Sequence, residues 1–188
     1  MIPTMVKSNR ENEIKLAFPS PDTAVRRLLE AGAREVHARA FEDNVLFDLR
    51  DRPLTRSERL LRLRSFDGAT VLTFKAPFPG EHRHKVRIEH ETAIGDADQL
   101  RSILVGLGFE PVYRYQKYRT VYALERVAAS VDETPIGTFI ELEGAEDDVD
   151  RAAAAIGARP SEFIRDSYRE LQEKDAAARG VVAGDMLL

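Results

Sequence analysis

The chain contains no cysteine in 188 residues. Disulfides and thiolate metal sites are therefore excluded, and a reducing compartment is the natural fit. It has no apolar run near the ~18 residues that a membrane helix needs, so no membrane partner is expected. The opening "MIPTMVKSNRE" lacks the apolar core of an export signal, and the expected location is the cytoplasm. An excess of basic charge is missing too, since the formal net charge is −4. Nonspecific nucleic-acid binders are usually basic, so nucleic acid is not an expected partner. What is present is ordinary for a soluble domain, 43% hydrophobic and 32% charged, with length enough for one sizeable core.

Four segments read as helices. Residues 21–31 begin at Pro21 and end before Gly32. Residues 96–105 open on Asp96 and close near Gly106 or Gly108, and residues 146–156 are acidic at the start and stop at Gly157. Residues 160–178 form the fourth, with Ser161 and Glu162 at its start. The rest reads as strands, over 10–17, 35–41, 44–49, 59–66, 70–76, 84–92, 115–125, 127–132 and 137–143. Asp67-Gly68 tolerates positive φ and marks a hairpin. No linker, repeat or low-complexity block divides the chain. We expect one α+β domain over residues 1–175, dominated by antiparallel sheet, and a flexible tail over 176–188 that frays or contacts another copy.

The unusual feature is which residues alternate. "ENEIK" places Glu11, Glu13 and Lys15 on one strand face. "LRLR" does the same for Arg62 and Arg64, and "VLTFK" sets Lys75 opposite Leu72 and Phe74. "RHKVRIEHE" aligns Arg83, Lys85, Arg87, Glu89 and Glu91 opposite Val86 and Ile88. "KYRTVY" pairs Lys117 with Arg119, and "FIELE" pairs Glu141 with Glu143. Any one such strand is most simply a solvated sheet face. As a set they differ from that, because like charges two residues apart repel, yet the Glu-x-Glu pair occurs three times.

A closed barrel with its polar face inward gives the pattern a purpose, with the apolar stripes buried outside under helices. Carboxylate clusters without cysteine favour hard cations such as Mg²⁺ or Mn²⁺. Arginine and lysine pairs favour phosphate oxygens. Acids and bases in one cavity must largely compensate each other, because unpaired buried charge is very costly. A polyphosphate held with divalent ions completes such a site. The histidines His37, His82, His84 and His90 show no metal-ligand spacing. Ser167 lacks a His/Asp constellation for nucleophilic chemistry.

The ordered set "ENEIK", "LRLR", "LTFKAP", "RIEHE", "YQKYRTVY", "DETPIGTFIELEG" and "DSYREL" resembles the CYTH superfamily, the triphosphate tunnel metalloenzymes, over roughly residues 10–172. "LGFEPVYRYQKYRTVY", "DETPIGTFIELEG" and "SYREL" look most like its CyaB group, the class IV adenylate cyclases. The resemblance implies an eight-stranded antiparallel barrel around a tunnel, dependence on Mg²⁺ or Mn²⁺, and a triphosphate substrate. It implies metal-binding roles for Glu11, Glu13, Glu141 and Glu143, with Glu89, Glu91 and Asp132 adding to them. Lys15, Arg62, Arg64, Lys75, Lys117 and Arg119 match positions that grip the triphosphate. Lys85 and Arg87 join this set, and Lys75 and Arg119 are the expected catalytic pair. Tyr168 matches a helix motif near the tunnel, with a packing role equally open.

One departure stands out. Triphosphatase relatives often carry a tyrosine where this chain has Leu46, so a tyrosine–lysine base pair for hydrolysis looks absent. The expected activity is conversion of ATP to cyclic AMP and pyrophosphate. The alternatives are a triphosphatase for tripolyphosphate, thiamine triphosphate or a nucleotide, and a noncatalytic polyphosphate or nucleotide sensor. A monomer or a homodimer is expected.

Overall fold

A computed structural model describes residues 9–188, so the first eight residues of the expected domain lie outside the described residues. Eight antiparallel strands close into a barrel in the order β1-β5-β4-β3-β2-β6-β7-β8. They are β1 (Arg10–Phe18), β2 (Arg34–Leu49), β3 (Leu60–Phe66), β4 (Ala69–Pro77), β5 (Lys85–Ala93), β6 (Phe109–Leu124), β7 (Val127–Thr134) and β8 (Gly137–Glu143). Five α-helices accompany them: α1 (Pro21–Glu30), α2 (Pro53–Arg56), α3 (Ala97–Gly106), α4 (Glu146–Ala155) and α5 (Tyr168–Ala178). The expected eight-stranded α+β barrel is the observed fold. None of the helices among the described residues is long and apolar enough to cross a membrane.

Local chemistry explains the joints. Asp67 and Gly68 both have positive φ, 47° and 74°, which matches the turn twist that a tight hairpin between β3 and β4 requires. Ser20 caps α1 by accepting from the Thr23 amide, with Pro21 in the first turn. Asp48 at the end of β2 accepts from the amides of Leu49, Leu54 and Thr55 and from the Thr55 hydroxyl, which fixes the short α2. Ser167 and Glu170 form a reciprocal capping box at the start of α5.

The hydrophobic core lies outside the barrel wall. Ile14 and Leu16 of β1, Val131 of β7, and Ile140 and Leu142 of β8 pack against Ala24 and Leu28 of α1 and Val149 and Ala153 of α4. Val45, Phe47 and Leu63 form a second patch with Leu104 of α3. Alternation along each strand then turns the other set of side chains inward. β1 shows the logic in one strand: Ile14 and Leu16 face the helices, and Glu11, Glu13 and Lys15 face the lumen.

Several elements differ from the sequence expectation: β6 begins at Phe109 where 115 was expected, and the short α2 was not expected. The strands expected at 35–41 and 44–49 are one 16-residue strand, β2, with register shifts along its pairing with β6. The helix expected over 160–178 is a 3₁₀ turn (Pro160–Glu162), an extended stretch whose Ile164 bridges Lys15 of β1, and then α5. The segment expected as a flexible tail carries the last turn of α5 and a bridge between Met186 and Tyr115.

Candidate active site

The lumen is a cavity of about 220 Å³. Of the expected site residues, all but Asp132 line it: six acids (Glu11, Glu13, Glu89, Glu91, Glu141, Glu143) and eight bases (Lys15, Arg62, Arg64, Lys75, Lys85, Arg87, Lys117, Arg119). They come from six of the eight strands, so only closure of the barrel brings them together.

The acids divide into three groups. Glu11, Glu89 and Glu143 each offer an oxygen within 4.8 Å of the others. The Lys75 ammonium bridges two of them, at 2.5 Å from Glu11 and 3.3 Å from Glu89. The Oε2 atom of Glu11 is buried without a hydrogen-bond partner. Lost hydration and the neighbouring Glu11 charge push the Glu143 carboxyl up to about 7, although Glu143 keeps exposed surface. Glu89 is raised by burial, with Lys75 opposing and Glu11 reinforcing the shift. Three converging carboxylates with an orphaned buried oxygen fit a hard divalent cation.

Glu13 and Glu141 are ion-paired instead. Lys15 sits 3.0 Å from each. Arg119 also contacts Glu141, and Lys85 lies 3.3 Å from Glu13. Burial alone would raise both carboxyls, but Lys15 outweighs it, with help from Lys85 at Glu13 and from Lys117 and Arg119 at Glu141. Both are held well below the usual carboxylate range. Burial would lower Lys15, and Glu13 with Glu141 overturns that and raises it. Glu91 accepts from Thr73 at 2.8 Å and lies 3.5 Å from Arg64 and 3.8 Å from Arg62.

Asp132 is fully buried behind the lining. It accepts from Lys117 Nζ at 2.7 Å, from Arg119 Nε and Nη2 at 2.6 Å, and from the Tyr168 hydroxyl at 2.6 Å. Its geometry is that of a counter-ion that aims two cations, and it lies apart from the three-carboxylate cluster. Tyr168 lines the lumen and lies under Lys15 and Lys117, whose ammonium groups are 5.3 Å and 4.7 Å from its ring centroid. Tyr168 thus packs in the aromatic cluster with Tyr115 and Phe139 and also lines the lumen.

Two residues of the site escaped the sequence analysis, Glu42 behind the lining and Tyr115 within it. Glu42 is fully buried, 3.4 Å from Lys117, and accepts from Asn44. Burial opposes its ionisation, but Lys117 and Arg119 hold its carboxyl down at about 2. Tyr115 accepts from Arg62 at 3.2 Å. The signal for Glu42 was present, because Glu42, Asn44, Leu46 and Asp48 alternate with Val45 and Phe47, two core residues. Tyr115 falls two residues before Lys117 on the same strand face.

A second, larger cavity of about 640 Å³ adjoins the lumen. The two share Leu60, Lys85, Arg87, Tyr115, Ser167 and Tyr168. Its further walls include Leu46, Phe78 and Tyr113.

A closed antiparallel barrel with a lumen of balanced acids and bases, and carboxylates gathered for a cation, defines a charged-tunnel protein. Comparison with known proteins gives the class its name. The profile of the CYTH domain matches residues 9–179. A Methanocaldococcus jannaschii protein provisionally named an adenylate cyclase is 30% identical over 173 residues, 86% of this chain and 98% of its own. A Vibrio parahaemolyticus structure with the same provisional name aligns with a TM-score of 0.75 at 19% identity, covering 88% of this chain and 98% of that one. A Hippeastrum protein, described as an adenylyl cyclase candidate with a dominant triphosphatase activity, aligns with a TM-score of 0.58 at 18% identity, covering 92% and 96%. The chain belongs to the CYTH family, whose members are in general metal-dependent enzymes that take triphosphates in a tunnel.

Proposed function

We propose that this protein is a nucleoside triphosphate cyclase of the class IV adenylate cyclase type, converting ATP to cyclic AMP and pyrophosphate. The observation that carries the reading is the pair of joined cavities. A tripolyphosphate needs only the charged lumen. A 640 Å³ cavity whose walls mix apolar and aromatic side chains (Leu46, Phe78, Tyr113) with charged ones (Arg59, Arg165, Arg169), opening on the same Lys85, Arg87 and Tyr115, gives a nucleoside somewhere to sit while its phosphates enter the lumen.

In this reading Glu11, Glu89 and Glu143 hold Mg²⁺ or Mn²⁺, with Glu13, Glu91 and Glu141 facing the same lumen from their ion pairs. A bound divalent ion supplies charge neutralisation at the phosphate oxygens. Lys15, Arg62, Arg64, Lys85, Arg87 and Lys117 fix the triphosphate. Arginine forks do so bidentately, and lysines act as point charges. The ribose 3′-hydroxyl attacks the α-phosphorus and gives up its proton, which ends on the released pyrophosphate. A new P–O3′ bond forms, the bond to the bridging oxygen breaks, and that oxygen leaves on pyrophosphate. Arg119, its fork fixed by Asp132 and Glu141, stabilises the leaving group, and Lys75 offsets charge beside the carboxylate cluster. Asp132 acts as the counter-ion that aims Lys117 and Arg119.

A second reading, triphosphatase, is supported by the description of the Hippeastrum relative and by a lumen of about 220 Å³ whose lining carries eight bases. There, water attacks the terminal phosphorus and orthophosphate leaves. Leu46 in the wall removes the tyrosine that would assist a lysine in activating that water. The test incubates the protein with ATP and, separately, with tripolyphosphate, each with Mg²⁺ or Mn²⁺, and resolves products by ion-exchange chromatography. Cyclic AMP with pyrophosphate is the expected result. Orthophosphate released fastest from tripolyphosphate overturns the cyclase reading in favour of hydrolysis, and binding without turnover favours a sensor.

A further inference from the structure

β6 outruns its neighbour. β7 pairs only with Tyr118–Leu124 of β6, so the stretch Tyr113–Gln116 pairs with β2 on one edge and has no β7 on the other. The chain's own last residues occupy that edge. The Met186 amide donates to the Arg114 carbonyl at 2.9 Å, and the Met186 carbonyl accepts from the Gln116 amide at 2.8 Å. Asp185 Oδ1 accepts from the Arg114 amide at 2.8 Å, and the Leu188 amide donates to Gln116 Oε1 at 3.2 Å. These residues lie past the end of the CYTH match at residue 179. The connecting residues 181–184 have no regular structure, and Val182 is 96% exposed, so the strap is held by its tip.

The tip reaches the tunnel through aromatic rings. Met186 is 1% exposed and packs in one cluster with Tyr113, Tyr115, Phe139 and Tyr168, a setting that suits a thioether against ring edges. Two of those tyrosines hold lumen cations. Tyr115 accepts from Arg62, and Tyr168 donates to Asp132, which in turn fixes Lys117 and Arg119. The Tyr115 and Tyr168 rings are 6.0 Å apart and share the Met186 cluster.

We propose that Met186 is a positioning residue. The C-terminal strap locks Tyr115 and Tyr168 in place and through them aims Arg62, Lys117 and Arg119 at phosphate oxygens. The inference rests on the triphosphate reading of the lumen, but not on which reaction follows. Glu11, Glu89 and Glu143 are not among the residues packed against Met186, so their carboxylates are not directly contacted by the strap.

The test uses the full chain with Met186→Asp, Met186→Ala and Met186→Leu, and titrates Mn²⁺ alone and then inorganic tripolyphosphate with Mn²⁺ present. Met186→Asp sets a charge in an apolar socket and releases the strap. Tripolyphosphate affinity is expected to fall about tenfold, and about threefold for Met186→Ala, with Mn²⁺ affinity within about twofold of the parent. Met186→Leu refills the socket and keeps tripolyphosphate affinity within about twofold. Unchanged tripolyphosphate affinity in both Met186→Asp and Met186→Ala overturns the proposal. So does a parallel loss of Mn²⁺ and tripolyphosphate binding, which marks general loss of structure. Failure of the unsubstituted protein to bind tripolyphosphate strikes at the triphosphate reading itself and is seen before any variant is made.

Discussion

Replacing Asp132 by Asn separates two roles for this carboxylate. As a metal ligand, the role implied by the family resemblance, its loss weakens Mn²⁺ binding. As the counter-ion seen in the structure, its loss strands Lys117 and Arg119. Asp132 has no exposed surface and takes four hydrogen bonds, three of them from cations. After substitution the acidic partner left to Lys117 among the described residues is Glu42, at 3.4 Å, and Arg119 keeps Glu141 with Glu42 at 3.9 Å. Removing one partner of a buried ion pair costs roughly 3–5 kcal/mol. For a domain of this size each kcal/mol moves the melting temperature by about 2–4 °C, so a fall on the order of 10 °C is expected. Mn²⁺ affinity is expected to stay within about twofold, since the three-carboxylate cluster is intact. Differential scanning calorimetry and Mn²⁺ titration on the same preparation decide the matter. A melting temperature within about 2 °C of the parent, or a tenfold loss of Mn²⁺ affinity, refutes the counter-ion assignment.

Three further outcomes follow from the same geometry. The Glu143 carboxyl, raised to about 7, must shed its proton to accept a cation, so Mn²⁺ binding is expected to release protons and to strengthen as pH rises through 7. Calorimetry in buffers of different ionisation enthalpy reads this directly, and a binding heat independent of buffer would contradict it. Glu42 is depressed to about 2, so it contributes stability above its ordinary value of 4.5 that is lost as pH falls from 4.5 towards 2. Glu42→Gln should therefore cost on the order of 3 kcal/mol at neutral pH and flatten the acid limb of the unfolding curve between pH 4.5 and 2, where an unchanged limb counts against the pairing. Val112→Trp should fill part of the larger cavity and weaken ATP binding more than about tenfold while leaving tripolyphosphate affinity alone. Equal effects on both ligands would remove the nucleoside from that cavity.

The barrel was legible because alternation is a local signal with a fixed period, and its charged half stood out. Where the reading faltered, a distant partner overrode local chemistry. Glu42-Asp43 looks like a break between two strands, yet both are held in one: Glu42 by Lys117 and Asn44, and Asp43 by a two-point bond from Arg114. β6 begins at Phe109, ahead of the expected start at 115, and its Pro111 falls where the β2–β6 register is already irregular, a place that tolerates a residue with no amide to give. The start of α5 was written in Ser167-x-x-Glu170, a capping box masked by the alternative start at Ser161 and Glu162. Met186 had no local signal, since a single methionine in an aperiodic tail acquires meaning only from the tyrosines it meets. Within the site, sequence parity could say which acids face inward. It could not separate the three carboxylates that converge around one lysine, Glu11, Glu89 and Glu143, from those matched more fully by lysines and arginines. That division depends on neighbours across the barrel.

The division also bears on how ligands enter. With the buried Asp132 and Glu42 counted behind the lining, the lumen carries eight acids and eight bases, so it is near neutral before anything binds. That balance lets so many charges be enclosed in a folded domain at all. A triphosphate arriving alone brings several negative charges into a space that already has three mutually repelling carboxylates on one wall. Divalent cations arriving alone add positive charge beside Lys75, which already bridges two of those carboxylates. Each ligand therefore disturbs the balance by itself, and the two together restore it. Because coupling between binding sites is reciprocal, the metal must tighten the triphosphate by the same factor as the triphosphate tightens the metal.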